Sequence, residues 1–223
     1  MPSARPSLSD AAIVKLGGSL AYSPYLRAWL AACRNAHRAI IIVPGGGPFA
    51  DAVRDAQARM GLSDSAAHRM ALLAMAQFGE ALASLEPGFM VAQGFEGLEL
   101  ALEEGATPIW VPLELVSGGM GIEESWDVTS DSLAAWLATA LGARTVVLVK
   151  QVSPTSDTVS ADEMSELGVA DRAFPAFATR AGLDVIWLGV QDFHRLDDGL
   201  RGDVQPLAIN QQDAADELRS PLA

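Results

Sequence analysis

Residues 11–19 read A-A-I-V-K-L-G-G-S, a run of apolar residues that ends in two glycines. Short apolar runs bounded by glycine are typical of strands that are buried on both faces of a sheet, so we predict a strand over Ala11–Leu16. Similar runs stand at Ala39–Val43 and Thr145–Val149. Weaker strand patterns lie at Phe89–Ala92, Thr107–Val111 and Asp184–Leu188.

Helical patterns alternate with these strands. Apolar residues recur every three or four positions, and a long segment rich in Ala, Met and Leu follows Ser63, a residue type that often caps helices. The predicted helices are Tyr25–His37, Phe49–Met60, Ser63–Leu85, Thr129–Leu141 and Asp171–Gly182. This alternation predicts an α/β fold in which a mainly parallel sheet has helices on both faces.

Composition excludes several classes of function. The formal net charge is −13, whereas nucleic-acid binders gain most of their affinity by neutralising phosphates, so we expect no nucleic-acid partner. The sequence shows neither a membrane-spanning run nor a signal-peptide pattern, so we expect no membrane association. The single cysteine, Cys33, favours a cytoplasmic location. Because no cysteines and histidines cluster, we expect no metal site built by the protein.

The two lysines stand out because the other 13 basic residues are arginines. Lys15 lies near the end of the first predicted strand, where a buried ammonium group needs an anion. Gly17, Gly18 and Ser19 follow, and glycines let a phosphate approach the backbone closely at a turn into a helix. The same residues also fit a tight turn beside a lysine that reaches solvent.

Two other predicted strand ends carry similar signals. Gly45, Gly46 and Gly47 precede a helix and suit a phosphate or carboxylate, although a plain glycine-rich connection looks the same. Asp131 falls in the first turn of its helix, either as an acid that benefits from the helix dipole or as one that orients a phosphate-binding lysine. Lys150 directly follows the strand Thr145–Val149. Ligands of open parallel sheets bind where the carboxyl ends of strands meet, so we expect a ligand at these strand ends.

Three motifs together resemble those of the amino acid kinase superfamily. They are K-L-G-G-S-L at 15–20, V-P-G-G-G at 43–47, and T-S-D-S-L-A-A-W-L-A at 129–138 followed by a strand and K-Q-V. The resemblance runs from Ala11 to Lys150. It implies a three-layer αβα sandwich and ATP-dependent phosphoryl transfer to a small anionic acceptor, with Mg²⁺ carried by the nucleotide.

The resemblance also implies roles for individual residues. Lys15 would be catalytic by stabilising the transferring phosphoryl group, and Asp131 by organising the lysines. Phosphate would bind at Gly17, Gly18 and Ser19. The acceptor would bind at Gly45–Gly47, with His68 and Asp127 as further candidates. His68 also fits an ordinary, partly exposed position on its helix.

The chain departs from this family in one respect. Many members have a second catalytic lysine late in the sequence, in a Gly-Met…Lys stretch. No lysine follows Lys150 here, and the similar stretch Gly118–Gly121 comes too early. We therefore predict that Lys150 is a catalytic residue that supplies the missing cation to the phosphates of ATP.

Two further stretches narrow the resemblance. W-D-V-T-S-D-S at 126–132 and A-H-R-M-A-L-L-A-M at 67–75 are most similar to kinases of methanofuran-type cofactor biosynthesis, which convert (5-(aminomethyl)furan-3-yl)methyl phosphate to its diphosphate. Isopentenyl phosphate, UMP and acidic amino acids are the alternative acceptors. A nucleotide-binding storage protein of the same fold, similar to the molybdenum storage protein, is the non-catalytic alternative. A nicotinamide-dependent dehydrogenase would need a G-x-G-x-x-G fingerprint, which the sequence lacks.

The chain is expected to form one kinase domain over residues 11–210. Its acceptor half would span about residues 11–125 and its nucleotide half about residues 126–210. A flexible arm at 1–10 and an acidic tail at 211–223 would flank this domain. We also expect a homo-oligomer, whose size the sequence does not identify.

Overall fold

The structure, a computed structural model, describes residues 7–118, 121–154, 159–204 and 207. Its strands are β1 (Ala12–Leu16), β2 (Ile40–Pro44), β3 (Phe89–Ala92), β4 (Thr107–Trp110), β5 (Thr145–Lys150) and β6 (Asp184–Gly189). They form one sheet of six strands in the order β3-β4-β2-β1-β5-β6, and every pair is parallel. The prediction of a mainly parallel sheet is therefore confirmed.

Helices connect the strands. They are α1 (Leu26–Arg34), α2 (Gly47–Met60), α3 (Asp64–Leu85), α4 (Gly94–Glu103), α5 (Ser130–Leu141), α6 (Ala161–Glu166), α7 (Phe174–Ala181) and α8 (Leu196–Arg201). Short segments of 3₁₀ helix lie at Leu8–Asp10, Gly18–Leu20, Leu113–Ser117 and Asp192–Arg195. Within the described residues, no helix is long and apolar enough to cross a membrane. The predicted tail at 211–223 and the first six residues of the predicted arm lie outside the described residues.

Two apolar layers enclose the sheet because successive strand residues face opposite sides. Ile13 belongs to the cluster that packs under α5 and α7, whereas Val14 belongs to the cluster under α1 and α8. Both side chains are fully buried, as expected for a sheet covered on both faces. The three-layer αβα arrangement is therefore confirmed.

The strand order brings the two glycine loops and Lys150, which were predicted to bind a ligand, to one edge of the sheet. β1 lies between β2 and β5, and Leu16 is in register with both Pro44 and Val149. Since all three strands are parallel, their carboxyl ends open side by side onto the two glycine loops and Lys150.

Candidate active site

Asp131 joins the two lysines of the chain. Its Oδ1 lies 2.8 Å from the Nζ of Lys15, and its Oδ2 lies 2.6 Å from the Nζ of Lys150. All three residues are buried, and we call them the Lys–Asp–Lys triad. The lysines extend from adjacent strands, while Asp131 lies in the first turn of α5. Asp131 is thus more than a surface acid that benefits from the helix dipole.

Burial and charge act in opposite directions within this triad. Burial disfavours the charged form of Asp131, but the two ammonium groups outweigh it and lower the pKa to about 2. Burial and the neighbouring Lys15 lower the pKa of Lys150 to about 8, although Asp131 opposes this change. With both lysines protonated, the triad carries one net positive charge, which suits a phosphate ligand.

Asp171 supports the triad, and the sequence analysis did not identify it. Its carboxylate accepts hydrogen bonds from the Thr129 N–H at 2.9 Å, the Ser132 N–H at 3.0 Å and both of their hydroxyl groups, so it caps α5. Its own N–H donates to Oδ2 of Asp131 at 3.3 Å. Burial and the Asp131 carboxylate raise the pKa of Asp171. Asp171 therefore positions the helix end that carries Asp131.

This cap also explains why α7 begins later than predicted. The Phe174 N–H donates to Oδ1 of Asp171 at 2.9 Å, and α7 begins at Phe174 rather than at Asp171. In the sequence, Asp171 shows only as an acid at the start of a helical pattern. Its capping of a helix some forty residues earlier in the chain leaves no local pattern in the sequence.

The two glycine loops lie against each other, backbone to backbone. A Cβ built on Gly18 would lie 2.3 Å from the N of Gly47, and one on Gly45 would lie 2.3 Å from the N of Gly18. The Gly45 N–H donates to the Leu16 carbonyl at 2.8 Å, so it is occupied within the protein. The Gly46 carbonyl accepts the first helical hydrogen bond of α2, from the Ala50 N–H at 3.1 Å. The N–H groups of Gly46 and Gly47 therefore have no partner within the helix, and Gly47 adopts a left-handed backbone with φ of 55°.

Gly18→Ala is expected to destabilise the protein by about 1–3 kcal/mol, because the new methyl group would overlap backbone atoms that cannot rotate away. Denaturant unfolding would measure this loss. Gly97→Ala in α4 is the matched control, since a Cβ there meets its nearest neighbours at 3.7 Å. A Gly18→Ala protein as stable as wild type would show that the two loops do not pack in this way.

A cavity of about 410 Å³ opens beside the loops, a size typical of small-molecule sites. Lys15, Gly18, Ser19 and Gly45–Gly47 line one part, and apolar side chains that include Leu72, Met75 and Leu133 line another. The cavity can therefore hold a compact ligand that combines an anionic group with an apolar body.

His68 reaches this cavity, whereas Asp127 is not among the residues that line it. His68 is buried, not partly exposed, and its Nδ1 lies 3.0 Å from the Ser125 carbonyl. A carbonyl only accepts, so Nδ1 carries the proton in this contact. Oδ1 of Asp127 lies instead 3.8 Å from Nε of Arg172. Gly17 also lies outside the cavity lining, beside the Lys15 ammonium.

Metal-ligating side chains do not cluster in the part of the chain that the structure describes. Mg²⁺ commonly reaches phosphoryl-transfer sites on the phosphates of the nucleotide, which needs few protein ligands. The hydrogen-bond donors of the site include ammonium and backbone N–H groups, which suit phosphate oxygens rather than a metal ion.

Comparisons with known proteins bear on the family and the fold of this chain. A sequence model described as the amino acid kinase family matches residues 10–158. The (5-(aminomethyl)furan-3-yl)methyl phosphate kinase of Methanocaldococcus jannaschii is 30% identical over 175 residues, which cover 73% of this chain and 80% of that protein. The crystal structure of uridylate kinase from Archaeoglobus fulgidus superposes with a TM-score of 0.66 at 16% identity, covering 89% of this chain and all of that chain.

The structural similarity supports the fold alone. The two sequence matches also identify the family and the class of enzyme. The family match includes the Lys–Asp–Lys triad and both glycine loops. This chain belongs to the amino acid kinase family and is a phosphotransferase.

Proposed function

We propose that this kinase transfers the γ-phosphoryl group of ATP to a small phosphate ester, with (5-(aminomethyl)furan-3-yl)methyl phosphate as the first acceptor to test. The observation that carries the proposal is the Lys–Asp–Lys triad, a buried cationic group beside two glycine loops and a cavity. The named relative supplies the acceptor.

Each residue of the site then has a separate task. Lys15 lines the cavity and stabilises the phosphoryl group in transit, while Lys150 pairs with the phosphates of ATP from the neighbouring strand. Asp131 keeps both ammonium groups in place. The N–H groups of Gly46 and Gly47 bind the phosphate of the acceptor, aided by the N-terminus of α2.

The transfer needs no general base. A phosphate ester is mostly a dianion at neutral pH, because its second pKa is about 6, so the attacking oxygen carries no proton. This oxygen forms a bond to the γ-phosphorus as the bond from phosphorus to the β–γ bridging oxygen breaks, and the electron pair leaves with ADP. Positioning and charge stabilisation supply most of the catalysis in such reactions.

An acceptor panel tests the proposal. Purified protein with ATP and Mg²⁺ is expected to release ADP when (5-(aminomethyl)furan-3-yl)methyl phosphate is added, and phosphorus NMR should show its diphosphate. Isopentenyl phosphate, UMP and aspartate serve as comparison acceptors. Release of ADP that depends on aspartate alone, or on none of these compounds, would contradict the proposed class of phosphate esters.

Lys150 should make the use of ATP dependent on pH. Only the ammonium form attracts phosphates, so the Kd for ATP is expected to rise as the pH increases through 8, where Lys150 loses its proton in the free enzyme. Lys150→Met should bind ATP more weakly and without this pH dependence. Calorimetry on either side of pH 8 measures both effects. Equal pH profiles for the two proteins would show that another cation serves the phosphates.

The same group predicts the pH dependence of stability. The pKa of Lys150 is about 8 in the folded protein and close to the ordinary 10.5 in the unfolded chain. Between these values the unfolded chain binds more protons, so the free energy of unfolding attributable to Lys150 increases with pH across this window. In Lys150→Met the free energy of unfolding should lack this increase between pH 8 and pH 10.5. Denaturant unfolding of both proteins across this range would measure the difference.

A further inference from the structure

The cavity contains a carboxylate that phosphate binding leaves unused. Asp51 lines the cavity together with Arg54, and both belong to α2. Asp51 lies four residues after Gly47, which at 1.5 Å per residue is about 6 Å further along the helix. One helix therefore presents to the cavity an N-terminus that favours anions and, one turn later, an acidic side chain.

A chain of contacts holds Arg54 beside this carboxylate. Its guanidinium lies 4.5 Å from the ring centre of Trp126, and its Nη1 donates to Oδ1 of Asp51 at 2.9 Å. The Trp126 indole N–H donates to Oε1 of Gln57 at 2.7 Å, and Nε2 of Gln57 donates to Oδ1 of Asp64 at 2.7 Å. The Trp126 ring, and with it Arg54, is thereby fixed against α2.

Only one oxygen of Asp51 takes part in these contacts. Oδ2 of Asp51 has no hydrogen-bond partner within the described residues, and a carboxylate oxygen can accept more than one donor. Arg54 and Asp51 form a neutral pair, so this part of the cavity offers no surplus charge of either sign. Oδ2 of Asp51 can still accept a hydrogen bond from a donor on the ligand.

We propose that Asp51 binds a primary ammonium group of the acceptor, so that the cavity selects a phosphate ester that also carries an amine. This inference rests on the proposed function and adds the residue that determines specificity. The phosphate of the acceptor lies at Gly46 and Gly47, its apolar body lies against Leu72, Met75 and Leu133, and its ammonium group meets Asp51. Arg54 is a positioning residue, because it acts through Asp51 and not on the acceptor.

A matched pair of acceptors tests the inference. The pair is (5-(aminomethyl)furan-3-yl)methyl phosphate and (5-methylfuran-3-yl)methyl phosphate, in which a hydrogen replaces the amine. For the wild-type protein, kcat/KM is expected to favour the amine-bearing ester by about two- to fivefold, the scale of an ion pair between exposed groups. Asp51→Asn should reduce this ratio to about one, mainly through a higher KM for the amine-bearing ester.

Asp55→Asn is the control on the same helix. Asp55 pairs with Arg59 at 2.8 Å, as Asp51 pairs with Arg54, but it does not line the cavity. This variant should keep the wild-type ratio. Asp51 is largely exposed, so neither substitution should change the melting temperature. A wild-type ratio near one, or a ratio that survives Asp51→Asn, would overturn the inference.

Binding separates this inference from the proposed function. If the protein phosphorylates neither ester, the furan acceptor proposed above is wrong, and calorimetry with the same pair still decides the role of Asp51. Tighter binding of the amine-bearing ester that disappears in Asp51→Asn would support an amine site. Equal binding of the two esters by the wild-type protein would exclude it.

Discussion

Lys15→Ala is expected to lower kcat by about 10²–10³-fold, the usual scale for removing one preorganised group that stabilises charge in the transition state. The Lys15 ammonium lines the cavity and lies 2.8 Å from Oδ1 of Asp131, so it is held in place before any substrate arrives. Single-turnover kinetics, with enzyme and ATP in excess over the acceptor, would measure the chemical step directly.

Folding should survive this substitution, because Asp131 keeps its 2.6 Å ion pair with Lys150. Lys15→Met, which retains most of the side-chain volume, separates loss of charge from loss of packing. Both variants should be slow to a similar degree if the charge is what matters. A Lys15→Ala protein with a near wild-type rate would remove the glycine loop of residues 17–19 from the proposed mechanism.

Asp131→Asn is expected to destabilise the protein by about 3–5 kcal/mol, the usual cost of leaving a buried charge without its partner. A helix-dipole role alone would cost only about 0.3–1 kcal/mol. The larger value follows because two buried ammonium groups share this one carboxylate. Denaturant unfolding at neutral pH, where Asp131 is ionised, would measure the difference.

Two further variants test whether the loss of stability in Asp131→Asn comes from its buried ion pairs. Glu96 is an exposed acid in the first turn of α4, so Glu96→Gln reports the helix-dipole contribution alone. Combining Asp131→Asn with Lys150→Met removes one of the two ammonium groups and should recover part of the lost stability. Equal losses for Asp131→Asn and Glu96→Gln would contradict the importance of the triad for stability.

Much of the architecture could be predicted from local patterns. Both ends of each predicted strand lie within one residue of the ends of the corresponding strand in β1–β6. These strands could be predicted because an apolar run, and a glycine or proline near its end, are visible in a short stretch of sequence. The helices α4, α6 and α8 were not predicted. Gly97 weakens the helical pattern in α4. The helices α6 and α8 are only six residues long, and α6 follows a segment rich in Ser, Thr and Pro.

The sequence by itself determined which residues could carry the chemistry. Two lysines among thirteen arginines, two glycine loops at strand ends and an acid at the start of a helix are all visible along the chain. Each is a local feature, because it depends on a backbone turn or on the last residue of a buried strand. The family motifs consist of the same features, which is why they are visible without the tertiary structure.

Only the tertiary structure decided how these residues combine. The strand order places β1 between β2 and β5, and this order brings Lys15 and Lys150 to one carboxylate. It also brings Asp171 to the end of α5 and Trp126 to the face of α2. Ion pairs, caps and ring contacts depend on distance in space, and the distance between segments remote in sequence is set by the packing of the whole sheet.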